Sequence, residues 1–238
     1  MLVKMQNLKE LVKDIFDPIF WILSKRELYR LLVSRECNNG QTIVDIVRTY
    51  KGYGWYKSLS SLQIDSEFIE LINRLSKMES TITIEIGTYM GGTLIGWSRI
   101  TKALLISVDI PQGYNRKRQK LYQSLNYPNL NPKIITLQEN SQVISTVDKV
   151  RQVLQDKQVD ILFIDGDHQY DGVKKDFELW SPLVRSGGVI VFHDIIKCDV
   201  NNYGVHILWE ELKSVYRTEE IVADYTRQAF GIGLLYID

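Results

Sequence analysis

Five short apolar runs, separated by stretches with helical spacing, constrain the fold of this chain most strongly. Runs of this kind are typical of parallel strands that are buried on both faces of a sheet. Strands that alternate with helices imply right-handed crossovers between parallel neighbours. The sequence therefore predicts an α/β domain with strands at residues 82–87, 103–109, 133–138, 160–165 and 188–193.

Helical spacing also marks the segments that flank these runs. Residues 2–33 carry apolar side chains at helical intervals that are interrupted at Pro18, which predicts two short amphipathic helices. A further helix is predicted from Ser66 to Lys77, before the first strand. Near the carboxyl terminus, the pattern predicts a helix at 206–216 and two closing strands at 219–223 and 231–237.

Length and composition limit what this chain can contain. Its 238 residues and 27.7 kDa allow one α/β domain, expected at 61–238, and a helical extension with an aromatic loop at 1–60. The formal net charge is zero, so no nucleic-acid partner is expected, and the basic cluster at 116–120 is predicted to lie on a solvated helix face.

Cysteine usage and the amino-terminal residues bear on the cellular location. Cys37 and Cys198 lie far apart without metal-like spacing, which favours reduced thiols. Charged residues interrupt the apolar positions of the amino terminus, unlike the core of a signal peptide, and no apolar run is long enough to cross a bilayer. A cytoplasmic protein without a membrane partner is expected.

A glycine-rich turn follows the first predicted strand. Gly87, Gly91 and Gly92 permit positive φ angles and close approach of the backbone, and the next helix begins with N–H groups free to face a ligand. The second strand ends at Asp109, an acid placed to accept hydrogen bonds from two ribose hydroxyls. Together these features indicate a βαβ unit that binds a nucleoside cofactor.

Ionisable side chains follow the fourth and fifth strands. Asp165 and His168 follow one run, and His193 and Asp194 end the other. Because the carboxyl ends of parallel strands form the ligand crevice, these side chains are predicted to converge as ligands for a divalent cation. Imidazole binds Mg²⁺ poorly but Mn²⁺, Fe²⁺ or Zn²⁺ well, so His193 is a ligand of a softer ion, an outer group beside a ligand, or no ligand.

In this order the motifs resemble those of class I S-adenosylmethionine-dependent methyltransferases. The narrower resemblance is to metal-dependent small-molecule O-methyltransferases of the macrolide-sugar and cephalosporin-hydroxylase-like group. It spans roughly residues 55–238 and implies a Rossmann-like, mostly parallel sheet of seven strands, with S-adenosyl-L-methionine and a divalent cation, Mg²⁺ or Mn²⁺, as cofactors. The matching motifs are residues 85–92, Asp109, residues 165–170 and residues 186–194.

The resemblance implies roles for individual residues. His168 is the expected general base, since its ordinary pKa lies near neutrality, and a helix cap is the alternative. Asp165, His193 and Asp194 are the expected metal ligands, although the family often carries an acid or amide where this chain has His193. The expected cofactor contacts are Glu85, Gly87, Tyr89, Gly91, Gly92, Thr93, Asp109, Asn140, Ser141 and Asp165.

The implied reaction is transfer of a methyl group from S-adenosylmethionine to a hydroxyl of a small molecule, such as a sugar, a macrolide or a phenolic natural product. The amino-terminal helices are expected to cover the substrate side, to form a homo-oligomer interface, or to pack as a plain appendage. Candidate acceptor contacts are Tyr53, Trp55, Gln63 and His206, with loop anchors and a surface histidine as the alternatives.

Two other function classes share parts of this pattern. A nicotinamide-dependent oxidoreductase would use the same βαβ unit, but the glycine spacing is not Gly-x-Gly-x-x-Gly, and the His193–Asp194 pair has no place in that chemistry. A non-catalytic binding protein on this fold would be expected to lose the polar strand ends, which are intact here.

Overall fold

A computed structural model describes residues 2–33, 39–111, 115–126, 132–199 and 203–238. At its centre lies one sheet of seven strands in the order β3-β2-β1-β4-β5-β7-β6. The first five strands pair in parallel, and β7 runs antiparallel to both of its neighbours. The predicted Rossmann-like sheet is confirmed. Its strands are β1 (Ile82–Ile86), β2 (Leu104–Asp109), β3 (Lys133–Gln138), β4 (Val159–Ile164), β5 (Val184–His193), β6 (Arg217–Ile221) and β7 (Ile232–Tyr236).

Helices cover both faces of this sheet. Side chains from α2 to α6 pack on one face against residues such as Phe163 and Val191, and side chains from α7 to α9 pack on the other against residues such as Ile84 and Ile190. The helices are α1 (Leu2–Ile15), α2 (Asp17–Val33), α3 (Gly40–Thr49), α4 (Asp65–Leu75), α5 (Gly92–Ile100), α6 (Asn115–Gln123), α7 (Ile144–Leu154), α8 (Tyr170–Trp180) and α9 (Val205–Lys213).

The strand order explains where a ligand can bind. From β1 the chain moves outward through β2 to β3 and then returns to β4 on the other side of β1. Connections on either side of this reversal diverge and leave a crevice at the carboxyl ends of the strands. The polar residues that follow β1, β2 and β4 therefore meet there.

The amino-terminal helices differ in detail from the prediction. The break between α1 and α2 lies at Phe16, and Pro18 stands in the first turn of α2, where a missing N–H removes no intrahelical hydrogen bond. The helix α3 was not predicted; Asn39 caps it by accepting a hydrogen bond from the Thr42 N–H at 2.9 Å.

The solvated face predicted for the basic cluster is wrong for Arg118. This side chain is buried, and its Nη1 donates to the Ser58 carbonyl at 2.6 Å. Its neighbours on the same helix form ion pairs with the amino-terminal extension, Lys117 with Asp14 and Lys120 with Asp17. The cluster therefore joins α6 to the extension and to the segment before α4.

The outer face of α1 and α2 is apolar. The opposite face of α2 buries Leu28, Leu31 and Leu32 in the core. Among the described helices, none has the length and apolar character needed to cross a bilayer. Cys198 is a buried free thiol, and Cys37 lies outside the described residues. The exposed apolar side chains on the outer face of α1 and α2 are Leu11, Val12, Ile15, Phe16, Ile19, Ile22, Leu23, Tyr29 and Val33.

Candidate functional site

A cavity of about 750 Å³ opens at the carboxyl ends of the parallel strands. Four parts of its lining lie at the carboxyl ends of strands. They are residues 86–89 at the end of β1, Asp109 and Ile110 at the end of β2, 139–142 after β3, and 165–169 after β4. The remaining lining residues come from within β2, from the end of β5, from the start of α5 and from three segments outside the helices and strands. They are His193, Asp194, Ser60, Ser61, Leu62, Gln63, Thr93, Val108, Tyr203, Ala229 and Phe230.

The glycines after β1 allow close backbone contacts next to this cavity. Gly87 has a φ of 87°, and a Cβ there would lie 2.0 Å from the Asp165 carbonyl oxygen, so only glycine lets β1 and β4 end side by side. The Gly92 N–H donates to the Ser60 carbonyl at 2.9 Å, which ties α5 to the segment before α4. Gly87 lines the cavity, whereas Gly91 and Gly92 lie outside its lining.

The carboxylate of Asp109 closes the turn after β1. Its Oδ2 accepts hydrogen bonds from the Thr88 N–H at 3.2 Å and the Tyr89 N–H at 3.0 Å. Tyr89 lines the cavity with a half-exposed ring and a φ of 46°. Asp109 thus stands at the cavity edge with a fixed orientation, as a ribose-binding acid would require.

Glu85 lies beneath the cavity within β1. It is fully buried, and Thr93 Oγ1 donates to its Oε1 at 2.5 Å, so a hydroxyl supplies a donor to this buried acid. Burial raises the pKa of Glu85 to about 8. At neutral pH this side chain is therefore mainly a neutral acid. Thr93 lies between Glu85 and the cavity.

The loop after β3 forms the far wall. Asn140 Oδ1 accepts from the Gln142 N–H at 2.8 Å, and the Ser141 carbonyl accepts from Trp180 Nε1 at 3.0 Å. The helix α7 begins at Ile144 without a side-chain cap, so neither Asn140 nor Ser141 acts as a helix cap. Both residues line the cavity.

An acid–imidazole cluster occupies the cavity floor between β4 and β5. His168 Nε2 lies 3.1 Å from Asp194 Oδ2 and 3.5 Å from Asp165 Oδ1. One potential ligand atom from each of Asp165, His168 and Asp194 lies within 4.8 Å of the others. The geometry therefore brings His168 into the group that the sequence proposed for a cation.

His193 lies deeper than this group. Its ring is 3% exposed, and its Nδ1 lies 3.2 Å from Asp165 Oδ1 and 3.4 Å from Asp194 Oδ1. Its Nε2 is buried and makes no hydrogen bond to the described residues. In this arrangement His193 touches both carboxylates from below and corresponds to the outer-group alternative left open by the sequence.

The carboxylates and imidazoles strongly perturb each other's ionisation. Burial would raise the pKa of Asp165, but the adjacent His193 and His168 lower it to about 2. Burial would lower the pKa of His168, but Asp165 and Asp194 raise it to about 10. The pKa of His193 is also raised, because Asp165 outweighs the effect of burial. Among the protein groups alone, the Asp165 carboxylate is ionised and the His168 imidazole is protonated at neutral pH.

The cluster suits a divalent cation. The Asp165 and Asp194 carboxylates converge at the cavity floor beside His168, and a cation held between them would supply the positive charge that two adjacent acids need. Carboxylate oxygens alone suit Mg²⁺, and adding an imidazole nitrogen favours Mn²⁺ or a softer ion.

The four candidate acceptor contacts lie in different places. Gln63 lines the cavity, and its Nε2 donates to Asp165 Oδ2 at 2.6 Å. The other three are not among the cavity residues. Tyr53 stacks on Phe20 at 6.3 Å between ring centroids, and Trp55 Nε1 donates to Asp14 at 3.0 Å. His206 lies in α9, where its buried Nδ1 has no partner among the described residues.

Two aromatic residues of the cavity were missed by sequence reasoning. Tyr203 stacks on His168 with 4.7 Å between ring centroids, and the Phe230 N–H donates to Asp194 Oδ1 at 2.9 Å. Ala229, Phe230 and Gly231 have successive φ angles of 70°, 69° and 78°. Of these only Gly231 carries a sequence signal for a left-handed turn, and nothing in the sequence pairs it with Asp194.

Comparisons with known proteins agree with this architecture. Residues 84–195 match a family described as a methyltransferase domain. An uncharacterized protein of Sinorhizobium fredii is 39% identical over 62 residues, which make up 26% of this chain and 7% of that relative, so the chain spans a small part of its length.

Solved structures share the fold at low sequence identity. The Bacillus cereus O-methyltransferase in complex with S-adenosylhomocysteine is 14% identical with a TM-score of 0.54, over 91% of this chain and 99% of that one. The O-methyltransferase TomG of Streptomyces achromogenes, involved in tomaymycin synthesis and solved with S-adenosylmethionine, is 16% identical with a TM-score of 0.51, over 71% and 80% of the two chains.

Proposed function

We propose that this chain transfers a methyl group from S-adenosylmethionine to a hydroxyl oxygen of a small molecule, because residues 84–195 match a family described as a methyltransferase domain and the fold is shared with solved O-methyltransferases. One observation carries the proposal: the turn held by Asp109 and the acid–imidazole cluster open into the same cavity. Its volume of about 750 Å³ falls within the range of sites for small ligands.

The cofactor would lie along the ends of β1 to β3. Asp109 would accept hydrogen bonds from the ribose hydroxyls, and residues 139–142, which line the same cavity, would flank the adenine. Thr93 and the neutral Glu85 lie on the side of the methionine portion. This orientation directs the sulfonium methyl toward the cluster at Asp165.

The acceptor hydroxyl would bind over the cluster. A divalent cation held by Asp165 and Asp194 would supply positive charge that lowers the pKa of that hydroxyl. His168 is placed to accept the proton at Nε2, provided that its carboxylate neighbours no longer favour the imidazolium form. His193 would hold Asp165 from below through Nδ1.

Aromatic side chains favour a ring-shaped acceptor. Tyr203 and Phe230 line the cavity beside His168 and Asp194. Aromatic faces pack against planar rings and against apolar faces of sugars. A phenolic or sugar hydroxyl of a natural product is therefore the acceptor class that we propose.

The direct test is methyl transfer from isotope-labelled S-adenosylmethionine to a panel of phenols and glycosides, read by mass spectrometry. We expect transfer to at least one hydroxyl when Mn²⁺ or Mg²⁺ is present and little transfer in excess chelator. Full turnover in chelator would contradict the role of the cation. Reduction of NAD by any acceptor of the panel would favour the oxidoreductase alternative.

A further inference from the structure

Two buried polar side chains lie just before and within the start of α4, one in contact with the acid–imidazole cluster and the other linked to it through the backbone. Gln63 is 4% exposed and Glu67 is 2% exposed, and they lie four positions apart. Neither belongs to a strand end, and Glu67 does not line the cavity. Buried polar groups are costly unless they are hydrogen-bonded, so the partners of these two show what each one holds.

Gln63 holds one oxygen of Asp165. Its Nε2 donates to Asp165 Oδ2 at 2.6 Å, while Asp165 Oδ1 faces the two imidazoles. The amide therefore fixes the rotation of the carboxylate and directs Oδ1 to the cluster. Gln63 is itself held in place, because the nearby Ser60 carbonyl accepts from the Gly92 N–H at 2.9 Å.

Glu67 holds the connection between β6 and β7. Its Oε1 accepts from the Ala223 N–H at 2.9 Å, and its Oε2 accepts from the Gly231 N–H at 3.2 Å. One buried carboxylate thus ties the two ends of this connection to α4. Within the connection, the Phe230 N–H donates to Asp194 Oδ1 at 2.9 Å.

The backbone near Phe230 needs such an anchor. Ala229 and Phe230 both have positive φ angles, of 70° and 69°, which cost free energy for residues with a Cβ. Strained residues keep this conformation only where surrounding contacts hold them. The hydrogen bond from the Gly231 N–H to Glu67 is the side-chain contact that does so, beside backbone hydrogen bonds between residues 229–231 and residues 195–197, and the Phe230 N–H donates to Asp194 from this turn.

We propose that Gln63 and Glu67 are positioning residues that set the spacing and orientation of the Asp165 and Asp194 carboxylates, and thereby the affinity of the site for a divalent cation. Gln63 acts on Asp165 directly, and Glu67 acts on Asp194 through Gly231 and Phe230. The inference rests on the proposed function, since it requires the two carboxylates to share a cation. Outer partners that orient ligands change metal affinity about 10- to 100-fold when they are removed.

Asp160 provides a matched control. It is a buried carboxylate that also accepts from two backbone groups, the Thr81 and Ile82 N–H at 2.8 Å each, and it pairs with Arg185 at 2.6 Å. It lies near the start of β4, so it is at the opposite end of the strands from the cavity. Asp160→Asn therefore removes a comparable anchor without touching the cluster.

The experiment is a calorimetric titration of the full chain with Mn²⁺, with affinity for S-adenosylhomocysteine and melting temperature measured on the same samples. We expect Glu67→Gln and Gln63→Leu to weaken Mn²⁺ binding at least about 10-fold. We expect S-adenosylhomocysteine affinity to stay within about twofold for Glu67→Gln, since Glu67 lies outside the cavity. Asp160→Asn should lower the melting temperature while leaving Mn²⁺ affinity at the wild-type value.

The outcomes separate the inference from the proposed function. A wild-type protein that binds neither Mn²⁺ nor another divalent cation contradicts the proposed cation site itself. Wild-type Mn²⁺ affinity in folded Glu67→Gln and Gln63→Leu overturns the positioning role, and so does an equal loss in Asp160→Asn. If Glu67→Gln does not fold, Gln63→Leu decides the matter, because it removes one side-chain hydrogen bond and no backbone anchor.

Discussion

At the scale of single residues, the side chain of His168 has the most informative surroundings. It stacks on Tyr203 and faces two carboxylates, which raise its pKa to about 10 against the effect of burial. The helix-cap alternative is not observed, since α8 begins at Tyr170 after Gln169 and has no side-chain cap. The contacts of His168 are those of a group that works within the cluster.

His168→Gln should keep the fold and the affinity for S-adenosylhomocysteine but reduce kcat about 10²- to 10⁴-fold, the usual contribution of a general base. With a cation on the carboxylates, so that they no longer favour the imidazolium form, the wild type should also lose activity as pH falls and His168 takes up a proton, and the variant should lack that limb. Steady-state kinetics across pH, with calorimetry for binding, measures both effects. Normal kcat with a lowered melting temperature would refute a catalytic role.

The buried acid Asp176 leads to a prediction on stability. It is fully buried in α8, its oxygens accept no hydrogen bond from the described residues, and burial raises its pKa from 3.8 to about 6. The folded state thus favours the protonated acid. The free energy of unfolding therefore keeps the full contribution of the protonated Asp176 below about pH 4, and it loses that contribution as pH rises through 6 and the buried acid ionises.

Asp176→Asn should therefore stabilise the protein at pH 7.5 relative to the wild type, by up to roughly 3 kcal/mol, and by much less near pH 4. Urea unfolding at both pH values measures the difference, with Glu178→Gln, an exposed acid of the same helix, as the control. An equal effect of Asp176→Asn at both pH values would show that the carboxylate ionises as it does in the unfolded chain.

Site residues that follow apolar strands could be predicted, and those that depend on tertiary contacts could not. Asp109, Asp165 and Asp194 end or follow such runs, so the sheet topology alone brings them to the cavity. Phe230 reaches Asp194 through a backbone N–H, a group that almost every residue has. Trp55 lies in a segment rich in aromatic residues, which suggested a stacking surface for a ligand, but its side chain packs on the amino-terminal extension.

At the scale of elements, the buried strands were the easiest to predict. The predicted bounds of β1 to β4 agree with the structure to within one residue, because an apolar run that must be covered on both faces stands out from its neighbours. In contrast, β5 begins at Val184, four residues before the predicted start. Its first part contains Arg185 and the exposed residues Ser186 and Gly187, which break the apolar pattern.

The turn after β1 allows an element-level prediction. A Cβ on Gly87 would meet the Asp165 carbonyl and would sit on a residue with φ of 87°, so Gly87→Ala should separate the ends of β1 and β4. We expect a loss of about 2–4 kcal/mol in unfolding free energy and weaker binding of S-adenosylhomocysteine.

The control for Gly87→Ala is Gly166→Ala, in the facing turn. A Cβ on Gly166 would lie 3.1 Å from Ile86 Cγ2, with its next nearest neighbour, Asp176 Oδ2, at an ordinary contact distance of 3.5 Å, and Gly166 is not among the residues with positive φ. Chemical denaturation of both variants compares the costs. Equal stability losses would show that the close approach of β1 and β4 has no special cost.

At the scale of the whole molecule, the sheet separates two layers of helices, and only one of them carries the amino-terminal extension. The face covered by α7 to α9 is a closed core, whereas the face covered by α2 to α6 also carries the extension and the segment that bears Gln63. The cavity lies where both layers meet the carboxyl ends of the strands. Binding there should stabilise the entire fold, by about 2.7 kcal/mol at a ligand concentration of 100 Kd.

The most direct test of cofactor binding in this cavity is a calorimetric titration of wild type and Asp109→Ala with S-adenosylhomocysteine, and in parallel with NAD. We predict that the wild type binds S-adenosylhomocysteine and not NAD, and that Asp109→Ala weakens this binding about 10-fold or more, which corresponds to about 1.4 kcal/mol. Unchanged affinity in Asp109→Ala, or binding of NAD in place of S-adenosylhomocysteine, would contradict the assignment of the cavity to a methyl-donor cofactor.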